Sequence, residues 1–121
     1  MTICNFRDLT AWQKSHLLVL DIYKTTSLFP KSEQFGLTNQ LRRAAVSIVS
    51  NIAEGFGRRT VADRTHFYDM ARASLNEVQA QILVARDVGF IDSDVHEKLD
   101  VCSIECHKIL TGLINKTNGT K

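Results

Sequence analysis

Six cationic side chains, Lys31, Arg42, Arg43, Arg58, Arg59 and Arg64, are the residues of this 121-residue chain best suited to chemistry. The planar guanidinium fork suits phosphate oxygens. Phe56 precedes Gly57-Arg58-Arg59, so an aromatic ring stands beside two arginines, a combination that can stack a base and neutralise its phosphate. Arg58, Arg59, Phe56 and Arg42 are therefore the candidate nucleic-acid contacts. Against this stands the ordinary reading of any one arginine as solvated surface, and Arg58 could instead pair with Glu54 and only fix the turn.

Other chemistries fit less well. Gly55-Phe56-Gly57 lacks the Lys-Ser/Thr of a phosphate-binding loop and reads as a helix stop. Asp63-Arg64-Thr65-His66 is a single acid-x-x-His copy, whereas a di-iron bundle needs inward glutamates and two such motifs. Cys102 and Cys106 are one helical turn apart with no second ligand pair of zinc-like spacing, and cysteine on an apolar seam behaves as a small hydrophobe. The four histidines form no nucleophile–base order. The expectation is no enzyme, no metal and no cofactor.

Formal net charge is only +2, but residues 1–60 hold eight Lys/Arg against four Asp/Glu and residues 61–121 hold seven against nine. Such a split is compatible with a phosphate-binding patch and also with ordinary solvated faces. No apolar run approaches the roughly 20 residues of a membrane span. The first residues lack the pattern of a signal peptide. Both points lead to an expected cytoplasmic location. Three cysteines in a chain with 44% hydrophobic residues do not suggest a disulfide framework.

The elements that must position these residues are helices. One Pro and six Gly leave long stretches free of breakers. Periods of three and four predict four helices, about 8–26, 33–56, 61–88 and 94–115, within one domain spanning 1–121. The first stripe is Leu9, Trp12, His16, Val19 and Tyr23, closed by Phe29-Pro30. The second is Leu37, Leu41, Ala44, Ala45, Ile48 and Ile52, with Ser32 as the expected N-cap and Gly55 and Gly57 at its end. The third is Phe67, Met70, Ala71, Ser74, Leu75, Val78, Ile82 and Ala85, with Thr60 as N-cap and Gly89 as C-cap. The fourth is Val95, Leu99, Cys102, Cys106, Ile109 and Leu113. Short links between amphipathic helices predict an all-α, antiparallel, up-down-up-down four-helix bundle.

The second helix carries more than one stripe. At about 100° per residue, Val46, Val49 and Ala53 widen its apolar face beyond what one bundle needs. The extra width fits deep burial or a subunit interface, and these three are the candidate interface residues. The remaining wedge holds a polar seam, of which Arg43, Asn51 and Glu54 are expected to be partly buried and hydrogen-bonded between helices or subunits. Arg43 and Glu54 stand about 16 Å apart along the axis at 1.5 Å per residue, too far to pair easily within one helix.

Glu33-Gln34-Phe35-Gly36-Leu37, Gln40-Leu41-Arg42-Arg43-Ala44-Ala45-Val46-Ser47-Ile48, Asn51-Ile52-Ala53-Glu54-Gly55 and Ala71-Arg72-Ala73-Ser74-Leu75-Asn76-Glu77 resemble the bacterial four-helix bundle family, also called the 23S rRNA-intervening-sequence protein family. The resemblance covers roughly residues 6–115. Ala73 departs from a glycine frequent in the family. The resemblance implies a left-handed bundle and a ring of five protomers. Two functional readings follow: a non-enzymatic oligomer that binds RNA or a ribosome-associated partner, and a protein-interaction or scaffold module with no nucleic-acid contact.

Overall fold

The computed structural model describes residues 3–119, and among these every regular element is helical. α1 spans Thr10–Thr26, α2 Leu37–Phe56, α3 Val61–Asp87 and α4 Ser93–Thr117. Two 3-10 turns, Phe6–Asp8 and Lys31–Glu33, precede α1 and α2.

Local chemistry sets these ends. Asn5 and Asp8 form a reciprocal capping box on the first turn. α1 begins at Thr10, later than expected, because the first 3-10 turn takes Phe6–Asp8 and Leu9 is extended at ψ 128°, without a capping side chain. α2 also begins later than the expected residue 33. The Glu33 carboxylate accepts from the Leu37 N–H at 3.0 Å, so Glu33 caps the helix from outside and Ser32 does not. Thr60 caps α3 as expected, accepting from the Asp63 N–H at 3.1 Å. Gly89 lies at φ +86° after α3, and the Phe90 N–H reaches back to the Ala85 carbonyl at 2.8 Å. Asp92 caps α4, accepting from the Val95 N–H at 2.8 Å.

Each helix packs on its neighbours in sequence, and α4 closes against α1. Cross-helix contacts fix the levels. Arg42 meets Thr26, Ser47 meets Ser74, Gln79 meets Ser103, Arg72 meets Thr111 and Lys14 meets Glu105. One hydrophobic cluster lies between the helices, with Leu18, Ile22, Ile48, Ile52, Leu75, Val78 and Leu110 fully buried. Phe29 and Phe90 rings meet at 5.3 Å beside the cluster.

The α2 stripe is largely as read from sequence, with Leu37 at the core's edge and Thr38 buried, and α3 keeps Ala71, Leu75, Val78, Ile82 and Ala85 inside, but the faces of α1 and α4 are rotated. α1 buries Ala11, Ser15, Leu18, Val19, Ile22 and Thr26, while Leu20 and Tyr23 are exposed. α3 buries Tyr68, and Met70 is exposed. α4 buries His96, Leu99, Ser103, Cys106, Leu110 and Ile114, whereas Val95, Cys102, Ile109 and Leu113 pack at the core's edge. On α1 and α4 polar residues take core positions, and two of them, Thr26 and Ser103, bond their own helix. Thr26 Oγ1 donates to the Ile22 carbonyl at 2.7 Å, and Ser103 Oγ donates to the Asp100 carbonyl at 2.8 Å.

Candidate functional site

The turn from α2 to α3 is built by close approach. Gly55 faces the Tyr68 ring, and a Cβ on Gly55 would stand 2.7 Å from Tyr68 Cε1 and 3.1 Å from the Arg64 carbonyl oxygen. Only glycine lets the two helices come this near. Gly57 then stops α2, its N–H shared between the Ala53 and Glu54 carbonyls at 3.3 and 3.2 Å.

The turn gathers three cations with different commitments. Arg58 Nη2 bonds Glu54 Oε2 at 3.0 Å, and its guanidinium carbon lies 4.5 Å from the Phe67 ring centroid. An exposed i,i+4 ion pair is worth about 0.3–0.5 kcal/mol and an exposed cation–π contact about 0.5–1 kcal/mol. Arg58 is thus held, though not tightly. Arg64 Nε donates to the Arg58 carbonyl at 2.7 Å, and its guanidinium lies 5.9 Å from the Phe56 ring. Arg64 fixes the turn's backbone. Arg59 is exposed and, among the described residues, makes no hydrogen bond, ion pair or ring contact. Phe56 is half-buried beside Arg64.

Arg42 is elsewhere. Its Nε donates to Thr26 Oγ1 at 2.8 Å, its Nη2 donates to the Tyr23 carbonyl at 3.2 Å, and its guanidinium sits 4.6 Å from the Tyr23 ring centroid. A cation at a helix C-terminus answers both the free carbonyls and the negative end of the dipole. Arg42 therefore closes α1 and stands about 21 Å along the axis from Phe56 at 1.5 Å per residue.

The polar seam divides. Asn51 Nδ2 donates to the Ser47 carbonyl at 2.8 Å and to Ser47 Oγ at 3.0 Å, and Ser47 Oγ meets Ser74 Oγ at 2.9 Å. Glu54 turns to Arg58. Arg43 is exposed and makes no hydrogen bond or ion pair among the described residues. Within the protomer, Arg43, Asn51 and Glu54 do not bond one another, because nearer partners, Ser47 and Arg58, satisfy two of them. Open grooves of about 410 and 430 Å³ flank Arg43, on the α3 side with Glu77 and on the α1 side with Tyr23 and Val46. Val46 is exposed, Ala53 is half-buried, and Val49 packs against the core's edge.

The cysteine pair sits where α4 meets the core. The Cys106 thiol is pushed up by donating a hydrogen bond to Cys102 and by burial. The same bond lowers Cys102. Among the described residues no group of three or more His, Cys, Asp or Glu could hold a metal ion. No helix there is long and apolar enough to cross a membrane.

Sequence reasoning did not connect Arg64, Phe67 and Tyr68 to the turn. Gly55 is the signal that could have found them, since a glycine closing an apolar helix face implies a bulky partner.

Four helices and no strand among the described residues define an all-α protein, whose α2–α3 turn is cationic and built on a tight glycine contact. The chain belongs to the 23S rRNA-intervening sequence protein family, whose model matches residues 7–112. Among solved structures it is similar to a protein of unknown function from the S23 ribosomal protein family of Bacteroides thetaiotaomicron VPI-5482. The TM-score is 0.78 at 24% identity, covering 87% of this chain and 98% of that one, a likeness of fold. The search of curated proteins returns no match.

Proposed function

We propose that this protein is a non-enzymatic, cytoplasmic homo-oligomer of five protomers that binds RNA or a ribosome-associated partner without a cofactor. Each protomer is taken as a left-handed, up-down-up-down bundle. The order of cross-helix contacts, Gly55 at Tyr68 but Ser47 at Ser74, supports antiparallel neighbours.

The observation that carries the RNA reading is the α2–α3 turn. Arg59 projects from a backbone held by Gly57, Thr60 and Arg64, free of any partner among the described residues. Neutralising a phosphate there breaks no internal bond. Exposed Leu17, Leu20 and Val46, with the half-buried Ala53, support assembly. In a cyclic assembly every copy presents its turn on the same side, so weak contacts multiply.

The interaction-module reading has its own support. Arg42 and Arg58 are committed within the protomer, which thins the basic patch. A salt titration of binding to single-stranded RNA separates the two. The RNA reading predicts log K falling linearly with log salt, by about 0.7 per phosphate contact. Absence of binding at low salt overturns it in favour of the interaction module.

A further inference from the structure

The fold also divides charge between the two ends of the bundle, drawing together residues far apart along the chain. The Lys14–Glu105 and Ser47–Ser74 contacts mark a midline. On the side of the α2–α3 turn lie residues 3–13, 48–73 and 106–119, holding seven Lys/Arg and four Asp/Glu. On the other side lie 15–46 and 75–104, holding six Lys/Arg and eight Asp/Glu. The first 3-10 turn joins the basic end because it packs on both α1 and α2. The last turn of α4 joins it because Arg72 meets Thr111.

The carboxylates at the basic end are mostly engaged. Glu54 holds Arg58 and Asp69 holds Arg72. Asp8 accepts from the Cys4 and Asn5 N–H groups. Asp63 lies in the first turn of α3, where the helix dipole favours a negative charge. Arg7, Arg59 and Lys116 are exposed, and none meets a carboxylate among the described residues. At the far end Asp87, Asp92, Asp94, Glu97 and Asp100 crowd the end of α3 and the start of α4. α3, at 27 residues, is about 40 Å long at 1.5 Å per residue, several Debye lengths of about 10 Å at 0.1 M salt. The acidic end therefore does not cancel the basic one.

We infer that single-stranded nucleic acid engages this protein end-on, through phosphate contacts to Arg7, Arg59 and Lys116, with the acidic end turned away. This rests on the RNA-binding reading above and specifies its contact surface. Arg7 and Lys116 come from opposite ends of the sequence, and only the fold brings them to the level of Arg59. Phe56 lies beside the Arg64 guanidinium and adds little base stacking, so recognition is of backbone charge.

The test uses a fluorescein-labelled oligouridylate and the intact protein. One variant carries Arg7→Ala, Arg59→Ala and Lys116→Ala. The other carries Lys24→Ala, Lys31→Ala and Arg86→Ala, removing equal charge from the far end. All six positions are exposed, and circular dichroism with light scattering verifies fold and mass. The salt slope should fall by about 2 for the first variant, at 0.7 per lost contact, and stay at the wild-type value for the second. Arg59→Glu alone should also weaken binding, which guards against misfolding of the triple variant. Equal losses in both triple variants overturn the end assignment while leaving RNA binding intact. Wild type that does not bind the oligouridylate at low salt overturns both.

Discussion

Replacing Gly55 with alanine tests the contact on which the α2–α3 turn depends. The added Cβ would stand 2.7 and 2.9 Å from two carbons of the Tyr68 ring and 3.1 Å from the Arg64 carbonyl oxygen. The ring is 2% exposed and has no room to swing, and the carbonyl belongs to the helix backbone. Either α2 and α3 separate by several tenths of an ångström or the ring shifts into its neighbours. Overpacking of this kind costs about 1–3 kcal/mol. Alanine's better helix propensity returns up to about 1 kcal/mol. The net expectation is a loss of about 1–2 kcal/mol. Gly112→Ala is the matched control, because a Cβ at Gly112, inside α4, meets nothing within 4 Å. That substitution should stabilise by about 0.5–1 kcal/mol. Urea denaturation followed by circular dichroism, at one fixed protomer concentration, reads both. Gly55→Ala proving as stable as wild type, or shifting the same way as Gly112→Ala, would refute the argument.

Other expectations follow from single contacts. Arg42→Ala should lose about 1 kcal/mol by removing its hydrogen bonds to the Tyr23 carbonyl and the Thr26 hydroxyl, both of which keep a partner within α1, with no change in the RNA salt slope. Burial raises the Tyr68 phenol above its ordinary 10.0, opposed by the nearby Arg64 charge. Its contribution to stability is therefore complete below pH 10.0 and is lost as pH rises through the higher folded value. Tyr68→Phe should flatten that alkaline loss in urea midpoints taken from pH 8 to 11. Val46→Asp should shift the assembly towards a folded monomer by light scattering. An unchanged mass would remove this face from the interface.

What the sequence made legible depended on where hydrophobicity and burial coincide. They coincide on α2, whose Leu41, Ala44, Ala45, Ile48 and Ile52 are buried as the periodicity predicts. They diverge on α1 and α4, where Ser15, Thr26, Ser103 and His96 take core positions while Leu17, Leu20 and Val101 face outward. A reading that ranks large apolar residues first rotates those helices. The α2–α3 turn was visible from its glycines, and the pairing of Arg58 with Glu54 was foreseeable from i,i+4 spacing. The partners of Arg42 and Arg64 were not: the first depends on helix levels that only packing sets, the second on the conformation of the turn itself. The joining of Arg7 and Lys116 to the turn's end was hidden for the first of these reasons.

The most direct test of the central proposal, an RNA-binding assembly, is the solution mass of the wild-type protein alone and with the labelled oligouridylate, by multi-angle light scattering at low salt. A pentamer of 13.6 kDa chains predicts a mass of about 68 kDa, rising when RNA co-elutes. A 13.6 kDa species whose mass RNA leaves unchanged would contradict both assembly and binding.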